Sequence, residues 1–402
     1  MSHRFVRVFQ IILLGSLTAL APLSIDMYLP ALPSLSQSLH ASPSMAQLSL
    51  TFCLFGLAVG QLFGGAISDT LGRRKPLLLG MMIFTVTSLW AGSTHSIYLF
   101  LLLRLFQGFS GAMGIVIARA IARDYYDGPE LTRFFALLMM INGLAPIAAP
   151  ILGGQLLRIT SWQGVFYVLF ATGVLLVVGV FLTLPESLTK EKRISGGVSQ
   201  LLRTQKSLLF DRVFMGYVLT QGFVMAAMFA YIAGSPFVVQ KIYGLSPQAF
   251  SAIFAMNGLG IIVVGQVSAF MAKRYVERYV LTVGVVSAFF GGIMLFIMLL
   301  IHAPLYLVLI PLFIVVASIG NVSTLGSSLA MHTKGEQAGS AAGMIGVISM
   351  LFGALVSPLV GLGGQLSAMP MAYVIVACEI LGMIMYFVIT QPLSVCALVR
   401  KK

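Results

Sequence analysis

Twelve apolar runs follow one another through this chain of 402 residues. Each is roughly 18–25 residues long, the length an α-helix needs to cross a bilayer. Their centres fall near Leu20, Leu57, Thr85, Ser110, Ala145, Leu175, Met225, Gly258, Gly291, Phe313, Met350 and Glu379. The longest non-apolar stretch, Glu186 to Arg212, is too short for a soluble domain of any size. Only 9% of the residues are charged, against about 25% in an ordinary soluble domain. The expectation is an all-α integral membrane protein with twelve transmembrane helices.

A net charge of +13 invites a nucleic-acid reading, and its distribution argues against one. With the N-terminus in the cytoplasm, all of the 24 basic residues except Arg104, Arg158 and Lys241 fall on the cytoplasmic side. That asymmetry is what the positive-inside rule produces. Both termini are therefore expected in the cytoplasm, with membrane lipid and not nucleic acid as the surrounding partner. Arg4 and Arg7 precede an apolar run ending in Ala19-Leu20-Ala21, which imitates a signal peptide. Pro22 would hinder cleavage there, and Asp26 continues the same span, so the segment reads as an uncleaved first helix. Cys53, Cys378 and Cys396 form no spacing motif, so neither a disulfide nor a metal site is expected.

Glu186 to Arg212 divides the spans six and six. Residues 1–187 read as one six-helix bundle, 188–211 as a cytoplasmic linker with a short surface helix at Val198–Leu209, and 212–402 as a second bundle. Weak similarity links the halves. Gly60-Gln61 recurs as Gly265-Gln266, Arg104-Leu105-Phe106 aligns with Pro311-Leu312-Phe313, and Pro150-x-x-Gly153 with Pro358-x-x-Gly361. Two pseudo-symmetric bundles with a site at their interface are the usual build of secondary transporters. The halves differ in charge: Asp26 aligns near Tyr231, Asp69 with Arg274 and Arg104 with Pro311.

Asp26 is the only acidic or basic residue between Ile11 and Leu35. An ionised carboxylate at membrane depth costs on the order of 2.5–3.5 kcal/mol on insertion scales, so such a residue pairs, titrates or binds something. Arg104 lies about two turns from the periplasmic end of its span, and Asp26 reads at a similar depth. Opposite charges at one depth favour ionisation when close and disfavour it when apart. The alternatives are a carboxylate bonding backbone groups freed near Pro30 and an arginine reaching the headgroups. All five histidines fall at span ends or in loops, which leaves Glu379 as the other acid well inside a span. Substrate-binding candidates are the polar and aromatic groups Tyr28, Gln107, Asn142, Gln221, Tyr231, Phe237, Asn257 and Asn321, although amides also bond across helices. No catalytic cluster is expected within any span, which disfavours an enzyme.

The loop Gly65-Ala66-Ile67-Ser68-Asp69-Thr70-Leu71-Gly72-Arg73-Arg74-Lys75 resembles the G-x-x-x-D-[RK]-x-G-R-[RK] signature of the major facilitator superfamily, with Thr70 in place of a base. The resemblance implies a cytoplasmic gate built from Gly65, Asp69, Gly72, Arg73 and Arg74. Arg104 with Gly108 resembles the family's R-x-x-x-G element. Gly143, Pro146, Pro150, Gly153 and Gly154 resemble its antiporter element, with Ala149 where glycine is usual. The first span, Ala21 to Pro33, closely resembles the bicyclomycin-resistance (Bcr/CflA) family of drug:proton antiporters. Trp162 with Phe166, Leu184-Pro185-Glu186, and Gly335-Glu336-x-x-Gly339-x-Ala341-x-Gly343 fit the same family.

The resemblance implies a multidrug efflux antiporter of the inner membrane, working by alternating access as a monomer. It would export bicyclomycin-like, chloramphenicol-like or sulfonamide drugs. No cofactor is implied beyond the proton gradient, with Asp26 and Arg104 coupling the proton. A proton-coupled transporter of a natural metabolite, symporter or exporter, is the alternative.

Overall fold

Each expected centre falls in one of twelve helices long and apolar enough to cross a membrane. The computed structural model describes residues 3–193, 205–332, 338–364 and 367–390, and among these there is no β-strand. The first half contributes α1 (His3–Asp26), α2 (Pro43–Leu71), α3 (Arg74–Ser93), α4 (Ile97–Tyr125), α5 (Gly128–Leu156) and α6 (Trp162–Thr183). The second contributes α7 (Arg212–Phe237), α8 (Pro247–Met271), α9 (Glu277–Leu300), α10 (Leu305–Met331), α11 (Ala338–Val356) and α12 (Met369–Ile384). Of the linker helix expected at Val198–Leu209, residues 205–209 are helical and the remainder lies outside the described residues.

Proline and capping chemistry set several helix ends. Pro30 has no N–H to offer the Asp26 carbonyl, and α1 stops there. The chain then makes a 3-10 turn at Leu29–Ala31 and a short helix at Leu32–Ser38, which complete the first span. Asp211 caps α7 by accepting from Phe214 N–H at 2.9 Å, and Ser246 caps α8 by accepting from Ala249 N–H at 3.2 Å. Gly72 turns the chain from α2 into α3 at φ +94°, a conformation that favours glycine.

The chain divides into two compact units, Met1–Ala41 with Phe52–Leu202, and Ser42–Thr51 with Arg203–Lys402. In the first unit α1 packs against α4, α5 and α6, while α3 packs against α4 and α6. In the second, α7 packs against α10, α11 and α12, while α9 packs against α10 and α12. Adding six to each helix number converts one pattern into the other, which gives the weak sequence repeat a structural counterpart.

Glycines carry the same correspondence into atomic contacts. A methyl on Gly108 of α4 would sit 2.0 Å from the Cys53 carbonyl oxygen of α2. A methyl on Gly320 of α10 would sit 2.0 Å from the Ile261 carbonyl oxygen of α8. Small residues let two backbones touch where lipid offers no hydrophobic drive for association. Gly56 and Gly60 add to the α2–α4 seam, their would-be methyls 2.1 Å from the Leu105 carbonyl oxygen and 2.4 Å from that of Phe109.

The opening segment of α2 is stitched into the second unit by its own side chains. Ser44 donates to the Pro358 carbonyl at 3.0 Å, Gln47 to that of Ala233 at 3.0 Å, and Thr51 to that of Ala354 at 2.8 Å. Pro358 cannot donate to the Ala354 carbonyl within its own helix, and the Thr51 hydroxyl takes that place.

Candidate functional site

In the first unit, Asp26 is the last residue of α1 and Tyr28 stands on the turn that follows. The first span runs on to Ser38, so Asp26 stands near its middle. Asp26 is buried, and no ion pair joins its carboxylate to another described residue. Gly153 of α5 packs directly on this turn, its would-be methyl 1.8 Å from the Met27 carbonyl oxygen. The proline- and glycine-rich element of α5 is thereby a backbone support for the acidic turn.

Arg104 of α4 is completely buried among aromatic rings. Its guanidinium carbon stands 4.5 Å from the centre of the Tyr28 ring and 5.7 Å from that of Phe166. A cation over an aromatic face gains about 2 kcal/mol or more once desolvated. Phe166 is itself held edge-to-face by Phe100 at 5.3 Å and Trp162 at 6.0 Å. One guanidinium nitrogen of Arg104 donates to Gln107 Oε1, and Gln107 donates onward to Ser88 Oγ at 2.7 Å. The Nε and Nη2 nitrogens of Arg104 have no partner among the described residues. The expected Asp26–Arg104 pair is thus not closed in this structure.

A second charged cluster gathers at the basic end of the same unit. Arg73 pairs with Asp69, and its Nε meets Asp124 Oδ2 at 3.1 Å. It also donates to Ser68 Oγ at 2.8 Å. Glu186 accepts from the backbone N–H groups of Arg73 at 2.7 Å and Arg74 at 3.2 Å, so a carboxylate sits at the N-terminus of α3. Arg74 donates to the Phe181 carbonyl at 2.6 Å. A methyl on Gly72 would stand 2.5 Å from Glu186 Oε2, so this position requires glycine for space as well as for φ. At Gly65 a methyl would meet only Val116, at an ordinary 3.6 Å. The close approaches of α2 to α4 are made by Gly56, Gly60 and Gly108.

Asp124, Ser187 and Glu186 complete this cluster. Only Glu186 carried a sequence signal, in Leu184-Pro185-Glu186. Asp124 follows Arg123 at the end of α4 and reads locally as ordinary surface charge.

The second unit holds the remaining candidates in two places. Asn257 donates to the Tyr231 hydroxyl at 2.9 Å, and Tyr231 stacks on Phe254 with centroids 5.5 Å apart. Gln221 accepts from Ser327 at 3.0 Å, and Phe237 is buried at the end of α7. Asn321 instead ties three helices together, donating to Ser268 Oγ at 2.8 Å and to the Val280 carbonyl at 2.9 Å. Glu379 is buried beside Gly292 of α9, and neither of its oxygens has a partner among the described residues. The side chain of Asn142 lies outside the described ones, as do Gly335 and Glu336.

The sequence profile of the Major Facilitator Superfamily matches residues 14–358. An uncharacterized MFS-type transporter, YdgK of Bacillus subtilis, is 43% identical over 94% of both chains. A bicyclomycin resistance protein homolog of Haemophilus influenzae is 29% identical over 95% of this chain and 96% of its own. The multidrug resistance protein MdtL of Klebsiella pneumoniae is 27% identical over 94% of both chains. Among solved structures, the nucleoside transporter NupG matches with a TM-score of 0.76 at 15% identity, over 98% of this chain and all of that one. A bacterial homolog of the human lysosomal transporter Spinster matches at 0.74 and 15% identity, over 97% of both chains. Matches at that identity speak to the fold alone, whereas the profile covers most of the chain. Twelve membrane-spanning helices, one packing pattern used twice and the profile match agree: the chain belongs to the major facilitator superfamily of membrane transporters.

Proposed function

We propose that the protein is a proton-coupled exporter of small drugs in the bacterial inner membrane, with its basic loops and both termini in the cytoplasm. The observation that carries the reading is the pair of buried, mutually unpaired charges in the first unit, Asp26 at the end of α1 and Arg104 in its aromatic seat. A carboxylate enclosed without a partner is costly when ionised, and a guanidinium with two idle nitrogens is the partner that relieves the cost. A proton arriving from the periplasm neutralises Asp26 and separates it from Arg104. Movement of the turn back toward Arg104 releases the proton to the cytoplasm. A membrane potential of 100 mV supplies roughly 2.3 kcal/mol for each charge that crosses.

Drug export is supported by the relatives' names and by the aromatic and amide groups of the second unit. Tyr231, Asn257, Gln221 and Phe237 offer stacking faces and hydrogen bonds suited to neutral or weakly polar drugs. The transporter needs no bound cofactor in this reading, because the proton gradient drives it. Inside-out vesicles test the proposal. With an acidic lumen they accumulate drug if the protein is an exporter, and a metabolite symporter leaves drug uptake unchanged.

A further inference from the structure

A groove of about 730 Å³ lies within the second unit, between α8 and α9 and over α10. Both outer helices pack on α10 and hardly on each other, which leaves the gap. The base of the groove is fastened by Asn321, which bonds to Ser268 of α8 and to the Val280 carbonyl of α9. Gly284 is the complement of that fastening, since a methyl there would stand 2.0 Å from Asn321 Oδ1. The gap is therefore held at a set width by a built polar tie.

Its walls are apolar and open outward: Val267 is 50% exposed and Val283 is 65% exposed. Two of the hydroxyls along it are engaged, Ser268 accepting from Asn321 and Ser318 donating to the Ile314 carbonyl at 2.7 Å. Walls that are mostly apolar suit an acyl chain. One end of the groove has a different character. The α8–α9 turn carries Lys273 and Arg274, both exposed and in no ion pair with a described residue. Arg274 rests on the Phe270 ring at 4.9 Å, Tyr275 and Tyr279 line the groove there, and Glu277 is the single acid nearby.

We propose that the groove is a binding site for an anionic phospholipid, one acyl chain lying between α8 and α9 and the phosphate meeting Lys273 and Arg274. Naming the leaflet as the cytoplasmic one rests on the topology proposed above; the binding itself does not. Basic residues between transmembrane helices are attracted to anionic headgroups at about one kcal/mol each. Two of them give a preference of about thirtyfold over a zwitterionic lipid of the same chains.

Native mass spectrometry of the full-length protein, released from nanodiscs of equal phosphatidylglycerol and phosphatidylcholine, reads that preference directly. The wild type is expected to retain phosphatidylglycerol about thirtyfold over phosphatidylcholine. Lys273→Gln with Arg274→Gln should abolish the preference, and Val283→Trp, which fills the groove, should abolish retention of both lipids. Equal retention of the two lipids by the wild type would overturn the proposal. So would a preference unchanged in the double glutamine variant, or displacement of the lipid by an exported drug. Transport is not read in this experiment, so a protein that exports no drug can still pass it and an exporter can fail it.

Discussion

The two units share a helix-packing pattern and one close glycine–carbonyl contact, Gly108 in one and Gly320 in the other, yet they distribute charge differently. The first unit buries Asp26 and Arg104 and gathers Asp69, Arg73, Asp124 and Glu186 at its basic end. At the aligned positions the second unit has Tyr231 near Asp26, Pro311 for Arg104 and Arg274 for Asp69. A scaffold that folds without those charges shows that the fold does not require them. Their presence in one half, against a cost of a few kcal/mol for each charge at membrane depth, points to work beyond folding. The second unit is in this sense an internal control for the first.

That control can be broken or sharpened by substitution. Gly108→Val and Gly320→Val place a methyl at the same distance from a facing carbonyl, one in each unit. Each should destabilise by about 3 kcal/mol, the upper end of ordinary overpacking, read as a fall in thermal unfolding temperature in detergent. Unequal losses would show that the shared packing pattern is not shared energetically. Gly65→Ala, where space exists, should leave stability unchanged.

Glu186→Gln replaces a carboxylate accepting from the backbone N–H groups of Arg73, Arg74 and Leu188 with a neutral amide. It should cost about 1–2 kcal/mol through weaker bonding at the N-terminus of α3. Stability measured against denaturant should fall accordingly. Tyr231→Phe removes the hydroxyl that Asn257 bonds, about 1 kcal/mol. In the exporter reading it raises the apparent KM for drug about fivefold and leaves proton movement intact, as export assays with a pH-sensitive dye would register.

The span count, the repeat and the asymmetry of charge were legible in the sequence because each is a one-dimensional pattern. Apolar run length, residue spacing and loop charge need no knowledge of which helices touch. What could not be read depends on contacts across long separations. The Asp124–Arg73 and Glu186–Arg73 contacts join segments far apart in the chain, and nothing local marks Asp124 as a partner. Gly65 carries the signature, but the rotation of α2 turns Gly56 and Gly60 into its seam instead. Asn321 looked like a cavity amide and is a tie between helices, because a polar residue on a buried face is equally suited to either task. The polar residues after Leu35 hide a short helix that carries the first span on to Ser38.

The central claim is that Asp26 carries the coupled proton. The direct measurement is drug-dependent proton release by the purified protein in proteoliposomes, wild type against Asp26→Asn, with circular dichroism confirming that both are folded. The account predicts proton movement with drug in the wild type, none in Asp26→Asn, and drug binding retained in both. Wild-type drug export with proton movement in the Asp26→Asn protein would contradict it.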